Sequence, residues 1–275
     1  MLYLYNNNNL KNHLIKNMLK YYYINNNIIN KTNQDYKTRL ELYKRYDIRD
    51  FIIDYDYKNI ELIFILAIYP RNENYKNILD EIYKYTNNII IIYSINPEYD
   101  IEMKYITNLS KTKNIYMIEV ENIGYDFYKY YVGIIYCLQN IKFDRIILIN
   151  DSFQFTRSIN DFISYIKLSH NKFNLIGLNN SYEIKIHIQS FILSFDKEIC
   201  KEFIQYYKKY NNKNHKLQDI IDVFEIGFSN YIINNNKYKI DTFYYITTNK
   251  NPYLEPEYSN LIKLFNYPIK KTKLK

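Results

Sequence analysis

A short apolar run in the middle of the chain constrains the fold more than any other feature. Residues 146–149 read Ile-Ile-Leu-Ile, and the run ends at Asn150, Asp151 and Ser152. An apolar run without polar alternation is typical of a strand covered on both faces, as in a parallel sheet between helices. Ligands of open α/β sheets bind beyond the carboxyl ends of the strands. The pattern therefore predicts a buried strand leading into a candidate site, although these polar residues also suit an ordinary turn.

Strand-like and helix-like segments alternate around this run. We predict strands over 62–69, 89–95, 115–120, 146–149 and 173–178, and helices over 75–85, 101–109, 127–138 and 159–168. Parallel strands need crossover connections, and helices supply them. The predicted fold class is therefore α/β, a Rossmann-type layered domain with a mainly parallel central sheet.

The rest of the chain has a different character. After residue 180 we predict a mixed α+β half, with strands over 184–195 and 238–247 and helices over 197–210, 217–233 and 259–265. Residues 1–58 are rich in Asn and Tyr, and two segments with helical spacing predict a helical N-terminal extension. We therefore expect an extension over 1–58 and a single domain over 59–275, with halves 59–180 and 181–275.

Composition limits the location and the partners. No apolar run approaches the roughly 20 residues that span a bilayer, Met1–Leu10 lacks a signal-peptide pattern, and Cys137 and Cys200 form no disulfide framework. A cytoplasmic protein that is not secreted is expected.

The net charge of +8 favours nucleic acid, phosphate-bearing substrates or an acidic membrane surface as partners. Nucleic acid ranks last because the lysines are dispersed, whereas Lys270–Lys275 suits peripheral membrane contact.

Two segments combine a glycine with acidic residues. In the first, Gly124 permits a tight turn before a helix whose N-terminal N–H groups suit a phosphate, and Asp126 either binds a nucleoside or caps the helix. In the second, Glu225 lies in an apolar neighbourhood that predicts a raised pKa, in the range of a general base. The alternative for Glu225 is an exposed side chain at a helix break near Gly227.

The segment His187-Ile-Gln-Ser supplies further polar candidates. His187 and Gln189 lie in a predicted strand, where His187 suits a metal ion or a diphosphate. A single histidine in a strand also suits a purely structural role. No zinc-spaced cluster and no serine nucleophile elbow is present, which disfavours hydrolases of the familiar kinds.

Six motifs in order resemble one family. They are Glu121-Asn-x-Gly-x-Asp, apolar-Asn150-Asp-Ser, Gly177-Leu, His187-Ile-Gln-Ser-Phe, Glu225-x-Gly-x-Ser and Tyr267-Pro-Ile-Lys. Together they are similar to the rhamnan synthesis protein F family of glycosyltransferases, from Leu62 to Lys270. The resemblance implies a GT-A-like fold and transfer of a sugar, rhamnose or a relative, from a nucleoside-diphosphate sugar to a polysaccharide or glycoconjugate acceptor.

The resemblance also implies roles for individual residues. Asp151 and Glu225 are the expected catalytic residues, with Glu225 as the base for the acceptor. The nucleotide sugar is expected at Gly124, Asp126, Asn150, Asp151, Ser152, His187 and Gln189. On this reading 59–180 is the nucleotide-binding half and 181–275 the acceptor half. A divalent cation, Mn²⁺ or Mg²⁺, is expected at Asp151 and His187.

Two alternatives follow from departures within these motifs. Asn150-Asp151-Ser152 supplies one carboxylate where Mg²⁺ or Mn²⁺ prefers several oxygen ligands, so a Lys, an Arg or a helix N-terminus is the alternative counter-charge for the diphosphate. Tyr125 also stands where members of the family often carry Arg. The alternative function is accordingly a catalytically degenerate GT-A-like subunit that binds glycans or serves as a scaffold.

Overall fold

The computed structural model describes residues 60–99, 115–211, 216–244 and 267–272, together with positions 104, 105, 108, 251, 253, 254, 258, 259 and 262. The predicted extension over 1–58 lies outside the described residues. So do most of the helices predicted for 101–109 and 259–265 and the end of the strand predicted for 238–247.

The described residues of the first half contain the five predicted strands, three of the predicted helices and one additional three-residue strand. In chain order it contains β1 (Leu62–Ile68), α1 (Asn74–Ile82), β2 (Ile89–Tyr93), β3 (Ile115–Glu119), α2 (Tyr125–Asn140), β4 (Arg145–Asn150), β5 (Phe153–Phe155), α3 (Asn160–Ser169) and β6 (Leu175–Ser181). The second half contains β7 (His187–Ile188), β8 (Ile192–Phe195), α4 (Lys197–Tyr210), α5 (Leu217–Ile220), a π-helical turn (Ile221–Gly227), α6 (Phe228–Asn234), β9 (Ile240–Tyr244) and β10 (Ile269–Lys271).

The central sheet has the strand order β3-β2-β1-β4-β8-β6, with β7 and β9 both paired to β6. Strand β1 pairs in parallel with β2 and β4, and β2 pairs in parallel with β3. Strand β8 runs antiparallel to both of its neighbours, while β9 is parallel to β6. The prediction of an α/β fold with a mainly parallel central sheet is therefore confirmed.

The central strands are apolar along their whole length because both faces of the sheet are covered. Ile63, Ile65 and Ala67 of β1 pack in one buried cluster with residues of α2 and α4. The alternate residues of β1 are buried as well, so the opposite face is also covered. On α2, a Cβ atom at Gly133 would lie 2.7 Å from the Ile65 side chain, so the close approach of α2 to the sheet requires glycine. No helix within the described residues is long and apolar enough to cross a bilayer.

The single strand predicted over 184–195 is wrong, because the chain turns between β7 and β8. The Ser190 N–H donates to the Glu225 carboxylate, and the Ser190 carbonyl accepts from the Tyr130 hydroxyl. Both backbone groups of Ser190 are therefore used outside the sheet ladder, and the strand is interrupted there. Side chains distant in sequence supply both partners, so local alternation gives no sign of the break.

The helix predicted over 217–233 is interrupted by the π-helical turn. The Tyr206 hydroxyl donates to the Val223 carbonyl within this turn. A Cβ atom at Gly227 would lie 2.6 Å from the same hydroxyl. The Tyr206 hydroxyl therefore occupies the space that a side chain at residue 227 would need. π-Helical turns of this kind are frequent at functional sites.

Candidate active site

The candidate site lies where the order of the strands changes direction. From β1 the sheet continues to β2 and β3 on one side, and from β4 it continues to β8 on the other. Ligands of open α/β sheets bind at the carboxyl ends of the strands at such a switch point. Residues 69–71 follow β1 there, and Asn150, Asp151 and Ser152 lie at the end of β4.

Asn150 connects β4 to the first turn of α2. Its Nδ2 donates to Asp126 Oδ2 over 2.9 Å. Its Oδ1 accepts from the Ser152 hydroxyl over 2.7 Å and from the Ser152 N–H over 3.2 Å. Asn150 is only 3% exposed, so it orients both neighbours. The structure thus brings Asp126, from one sequence motif, together with Asn150 and Ser152 from another.

Asp151 is the second carboxylate of the site. Its Oδ2 accepts from the Tyr69 N–H over 3.0 Å, and its carbonyl accepts from Asn74 Nδ2 over 3.0 Å. Burial raises the pKa of Asp151 to about 7, and the negative charge of Asp126 adds to this effect. Burial likewise raises the pKa of Asp126. These two carboxylates therefore hold protons more tightly than ordinary aspartates do.

Two cations, Lys129 and Arg71, accompany these carboxylates, and neither belongs to any of the motifs seen in the sequence. Lys129 is 0% exposed, and its ammonium donates to Asn122 Oδ1 over 3.0 Å. The Arg71 guanidinium lies 4.9 Å from the centre of the Tyr69 ring. The charges of both cations lower the pKa values of Asp126 and Asp151, opposing the effect of burial.

One sequence signal marks Lys129. It lies on the buried face of α2, next to Tyr130 and in the stripe that continues through Ile134 and Cys137. A lysine within an apolar stripe departs from the usual amphipathic pattern. Arg71 carries no comparable signal, because it lies in the loop after β1.

The turn at Gly124 brings the start of α2 to the site. Gly124 has a φ of 64° and Tyr125 a φ of 51°, so both lie in the left-handed region. A Cβ atom at Gly124 would also lie 2.7 Å from the Tyr207 hydroxyl. Positive φ is uncommon for a bulky residue such as Tyr125, and strained residues of this kind cluster at functional sites.

Glu225 belongs to a second polar group. Its Oε2 accepts from the Ser190 N–H over 3.2 Å and from the Ser190 hydroxyl. Its Oε1 lies 3.4 Å from His187 Nε2. Burial raises the pKa of Glu225, but the hydrogen bonds from His187 and Ser190 outweigh burial, so the pKa is lowered. The predicted raised pKa is therefore wrong, because these donors stabilise the ionised carboxylate.

His187 is held on both ring nitrogens. Besides the contact of Nε2 with Glu225, Nδ1 lies 2.8 Å from the Lys185 carbonyl oxygen. Burial lowers the pKa of His187, but these two acceptors outweigh burial and raise it. Because both partners are acceptors, the doubly protonated imidazolium fits this position best.

Tyr130, which also lies outside the sequence motifs, connects the two polar groups. Its hydroxyl donates to the Ser190 carbonyl over 3.2 Å. Burial raises the pKa of Tyr130, and the charges of Asp126, Asp151 and Glu225 raise it further. The charges of all three carboxylates therefore act on one buried hydroxyl.

Gln189 takes part in a separate buried network. Its Oε1 accepts from Asn179 Nδ2. Asn179 Oδ1 in turn accepts from the Tyr267 hydroxyl over 2.7 Å and from the Tyr253 hydroxyl over 3.3 Å. Gln189 thus connects the turn before β8 to the C-terminal segment, and its contact with a nucleotide sugar stays a prediction.

The residues present do not fit a divalent cation held by Asp151 and His187. Asp151 lies with Asp126 and Lys129, whereas His187 pairs with Glu225 and has partners on both ring nitrogens. Within the described part of the chain, no three His, Cys, Asp or Glu side chains form a group that could hold a metal ion.

A cavity of about 470 Å³ lies at the other end of β4, beside Arg145, and is separate from this site. The Arg145 guanidinium donates to the Phe173 carbonyl over 2.7 Å, to the Asn174 carbonyl over 2.9 Å and to the Ser194 hydroxyl over 2.8 Å. Burial lowers the pKa of Arg145 to about 10. Arg145 is therefore engaged in holding strands and loops together.

Comparison with known proteins gives distant likenesses. No family model matches the chain. Two sequences of virulence protein VirA from Vibrio anguillarum are 29% identical over 148 residues, which cover 52% of this chain and 45% of the relative. The chain spans about half the length of the curated relatives it matches.

Three solved structures illustrate the structural likeness. A glycosyltransferase involved in glycosylation of the major capsid of PBCV-1 has 12% identity and a TM-score of 0.44, covering 78% of this chain and 94% of that chain. The mannosyltransferase PcManGT from Pyrobaculum calidifontis, in complex with GDP-Man and Mn²⁺, has 9% identity and a TM-score of 0.43, and the match covers 74% of this chain and 61% of that chain. S. aureus TarS has 11% identity and a TM-score of 0.45, and the match covers 74% of this chain and 64% of that chain.

Proposed function

We propose that this chain is a glycosyltransferase that moves a sugar from a nucleoside-diphosphate sugar to a polysaccharide or glycoconjugate acceptor. Rhamnose or a related sugar is the proposed transferred group. The observation that carries this proposal is the cluster of Asp126, Asn150 and Asp151 at the switch point between β1 and β4. It supplies carboxylate oxygens at the edge of the sheet where nucleotides bind in folds of this class.

The donor side of the proposed site is formed by α2 and the end of β4. Asp126 and Asp151 offer carboxylate oxygens to the hydroxyl groups of a ribose, and Asn150 fixes the orientation of Asp126. The turn at Gly124 directs the N-terminal N–H groups of the 16-residue helix α2 towards a phosphate.

The acceptor side is formed by Glu225, which His187 and Ser190 hold in one orientation. In the proposed transfer the acceptor hydroxyl gives its proton to the Glu225 carboxylate while its oxygen bonds to the anomeric carbon. The bond from that carbon to the diphosphate breaks, and the diphosphate leaves with the electron pair. The lowered pKa of Glu225 keeps the carboxylate ionised at neutral pH, although it makes Glu225 a weaker base than a carboxylate with a raised pKa.

A thermal-shift panel tests the donor side. Wild type and the Asp126→Asn variant are melted with uridine, guanosine, thymidine, adenosine and cytidine diphosphates and their sugars. A ligand at 100 times its Kd adds roughly 2.7 kcal/mol of stability, so we expect one nucleotide to raise the Tm of the wild type and to lose this effect in the variant. A cooperative melt that no nucleotide shifts would contradict the proposal.

A catalytically degenerate, glycan-binding subunit is the second candidate. The observation favouring it is the lowered pKa of Glu225, which reduces the strength of the proposed base. If nucleotide sugars bind but neither transfer to glycan acceptors nor hydrolysis is detected, and Glu225→Gln leaves binding unchanged, the degenerate subunit replaces the enzyme.

A further inference from the structure

We infer that the donor site holds the diphosphate with fixed side-chain cations in place of a divalent metal ion, and that Arg71 is the residue that contacts the diphosphate. The inference rests on the proposed function, because it concerns the diphosphate of the same nucleotide sugar. Three observations carry it: the position of Lys129, the position of Arg71, and the hydrogen bonds already made by the two aspartates.

Lys129 supplies the first fixed charge. Its side chain is enclosed in the protein, and its ammonium is held by Asn122. From there its positive charge acts on both Asp126 and Asp151. Because Lys129 is enclosed, its role is to compensate the two carboxylates, so that a diphosphate does not meet two uncompensated negative charges.

Arg71 supplies the charge that a ligand can reach. It lies just beyond the carboxyl end of β1 and is partly exposed. Within the described residues its side chain contacts the face of the Tyr69 ring, and its guanidinium has neither a hydrogen-bond nor an ion-pair partner. Its charge acts on Asp126, Asp151 and Lys129. A guanidinium with five donors in a planar fork is well suited to bidentate binding of a phosphate.

The two aspartates are poorly arranged for a metal ion. One oxygen of Asp126 accepts from Asn150, and one oxygen of Asp151 accepts from Tyr69. Mg²⁺ and Mn²⁺ favour several oxygen ligands, and the charge of Lys129 beside these carboxylates would repel a dication. The arrangement of these carboxylate oxygens and of Lys129 therefore favours a site in which the protein itself provides the positive charge.

Isothermal titration calorimetry on the full chain tests this inference. The ligands are nucleoside mono- and diphosphates with the base identified by thermal shift, each measured in EDTA and in Mn²⁺. For the wild type in EDTA we expect measurable binding, with the diphosphate preferred. Arg71→Ala should weaken diphosphate binding by about 10- to 100-fold, as expected for loss of charge-assisted hydrogen bonds, and should remove most of the preference for diphosphate over monophosphate.

Two further variants sharpen the experiment. Arg71→Lys keeps the charge but lacks the planar fork, so we expect affinity between those of the wild type and Arg71→Ala. Arg157→Ala is the matched control, because Arg157 is exposed and lies outside the cluster; it should bind like the wild type. An unchanged Tm without ligand shows that each variant is folded.

The outcomes separate this inference from the proposed function. Binding that requires Mn²⁺ and is unaffected by Arg71→Ala would overturn the inference and leave the proposed function intact. Failure of every nucleotide to bind under either condition would remove the proposed function, and the inference with it. Metal-independent binding that depends on Arg71 supports both.

Discussion

At Asp151 the protonation state and the stability of the fold are linked. Burial, together with the charge of Asp126, raises the pKa of Asp151 to about 7. The folded protein then holds this proton over a pH range in which the unfolded chain has released it, so stability falls as pH rises from about 4 to 7. An asparagine in place of Asp151 would keep an oxygen that accepts from the Tyr69 N–H but would carry no charge.

We therefore expect Asp151→Asn to increase the free energy of unfolding by on the order of 2 kcal/mol at pH 8. The gain should disappear at about pH 3, because this is below the pKa of about 3.9 of an unfolded aspartate and Asp151 is then protonated in both states. Urea denaturation of both proteins at the two pH values checks this, and thermal shift checks that nucleotide binding is lost. Equal stability of the two proteins at pH 8 would contradict the prediction.

Gly124 and Tyr207 are coupled through one hydroxyl. A Cβ atom at residue 124 would clash with the Tyr207 hydroxyl and force a side chain into positive φ. This hydroxyl is buried and, within the described residues, has no hydrogen-bond partner. Tyr207→Phe should therefore be neutral or stabilising by up to about 1 kcal/mol, because an unpaired buried polar group is removed.

Gly124→Ala should cost roughly 1–2 kcal/mol from its conformation alone, and more in the presence of the Tyr207 hydroxyl. Denaturation of the two single variants and the double variant measures this coupling. The double variant should be more stable than the sum of the single effects predicts, and strict additivity would show that the clash relaxes without cost.

The sequence singles out individual polar residues but does not determine their charge states. Glu225 was predicted to have a raised pKa from its apolar neighbours, but Ser190 and His187, more than 30 residues away in sequence, reverse the direction. Lys129 was missed because a single lysine is usually solvated, and its place within the apolar stripe of α2 is the one sign in the sequence that it is buried. Residue type and spacing suggest a site, whereas protonation depends on contacts that only the fold supplies.

At the scale of elements, the pair formed by His187 and Glu225 joins β7 to the π-helical turn. The pKa of His187 is raised above 6.5, so its contribution to stability is complete below about 6.5 and is lost as pH rises through the folded value. The pKa of Glu225 is lowered below 4.5, so its contribution is present above about 4.5 and is lost as pH falls through the folded value. Both contributions coexist between about pH 4.5 and 6.5.

A double-mutant cycle with His187→Gln and Glu225→Gln measures this connection. We expect a coupling energy of roughly 1–3 kcal/mol at pH 5.5, as for a buried charged hydrogen bond. At a second, higher pH that lies above the folded pKa of His187, the imidazole is neutral and the coupling should be clearly smaller. A coupling energy that is the same at both pH values would show that the pair is not charged in the folded protein.

Elements were predicted closely where the sequence periodicity alone indicates which residues are buried. Strands β1, β2 and β4 are continuous apolar runs, and α2 and α4 carry regular stripes. The turn at Ser190 and the π-helical turn were missed, because the groups that interrupt the regular pattern belong to other elements. Strands β5 and β10 were missed because each is three residues long and gains its stability by pairing with the other.

At the scale of the whole molecule, three distant parts of the chain meet behind the candidate site. Asn74, at the start of α1, donates from Nδ2 to the Asp151 carbonyl over 3.0 Å and to the Thr272 hydroxyl over 2.8 Å. Thr272 lies just after β10 and donates to the Ser152 carbonyl over 3.0 Å. These contacts span 77 and 198 residues of sequence, so periodicity and motif spacing could not predict them.

This arrangement predicts that Asn74 positions the site without touching a ligand. Asn74→Ala removes two hydrogen bonds in a position that is 1% exposed, so it should cost roughly 1–3 kcal/mol of stability. It should also weaken nucleotide binding several-fold, because the loop that carries Asp151 loses its attachment to α1 and to the C-terminal segment.

Asn77→Ala is the matched control, since Asn77 lies on the same helix and exchanges two hydrogen bonds with Phe155 of β5 but makes none with Asp151. Denaturation together with calorimetric binding should show a stability loss in both variants and an affinity loss in Asn74→Ala alone. If both variants bind nucleotide equally well, the position of Asp151 is set by β4 itself and the contact between α1 and the C-terminal segment serves the fold only.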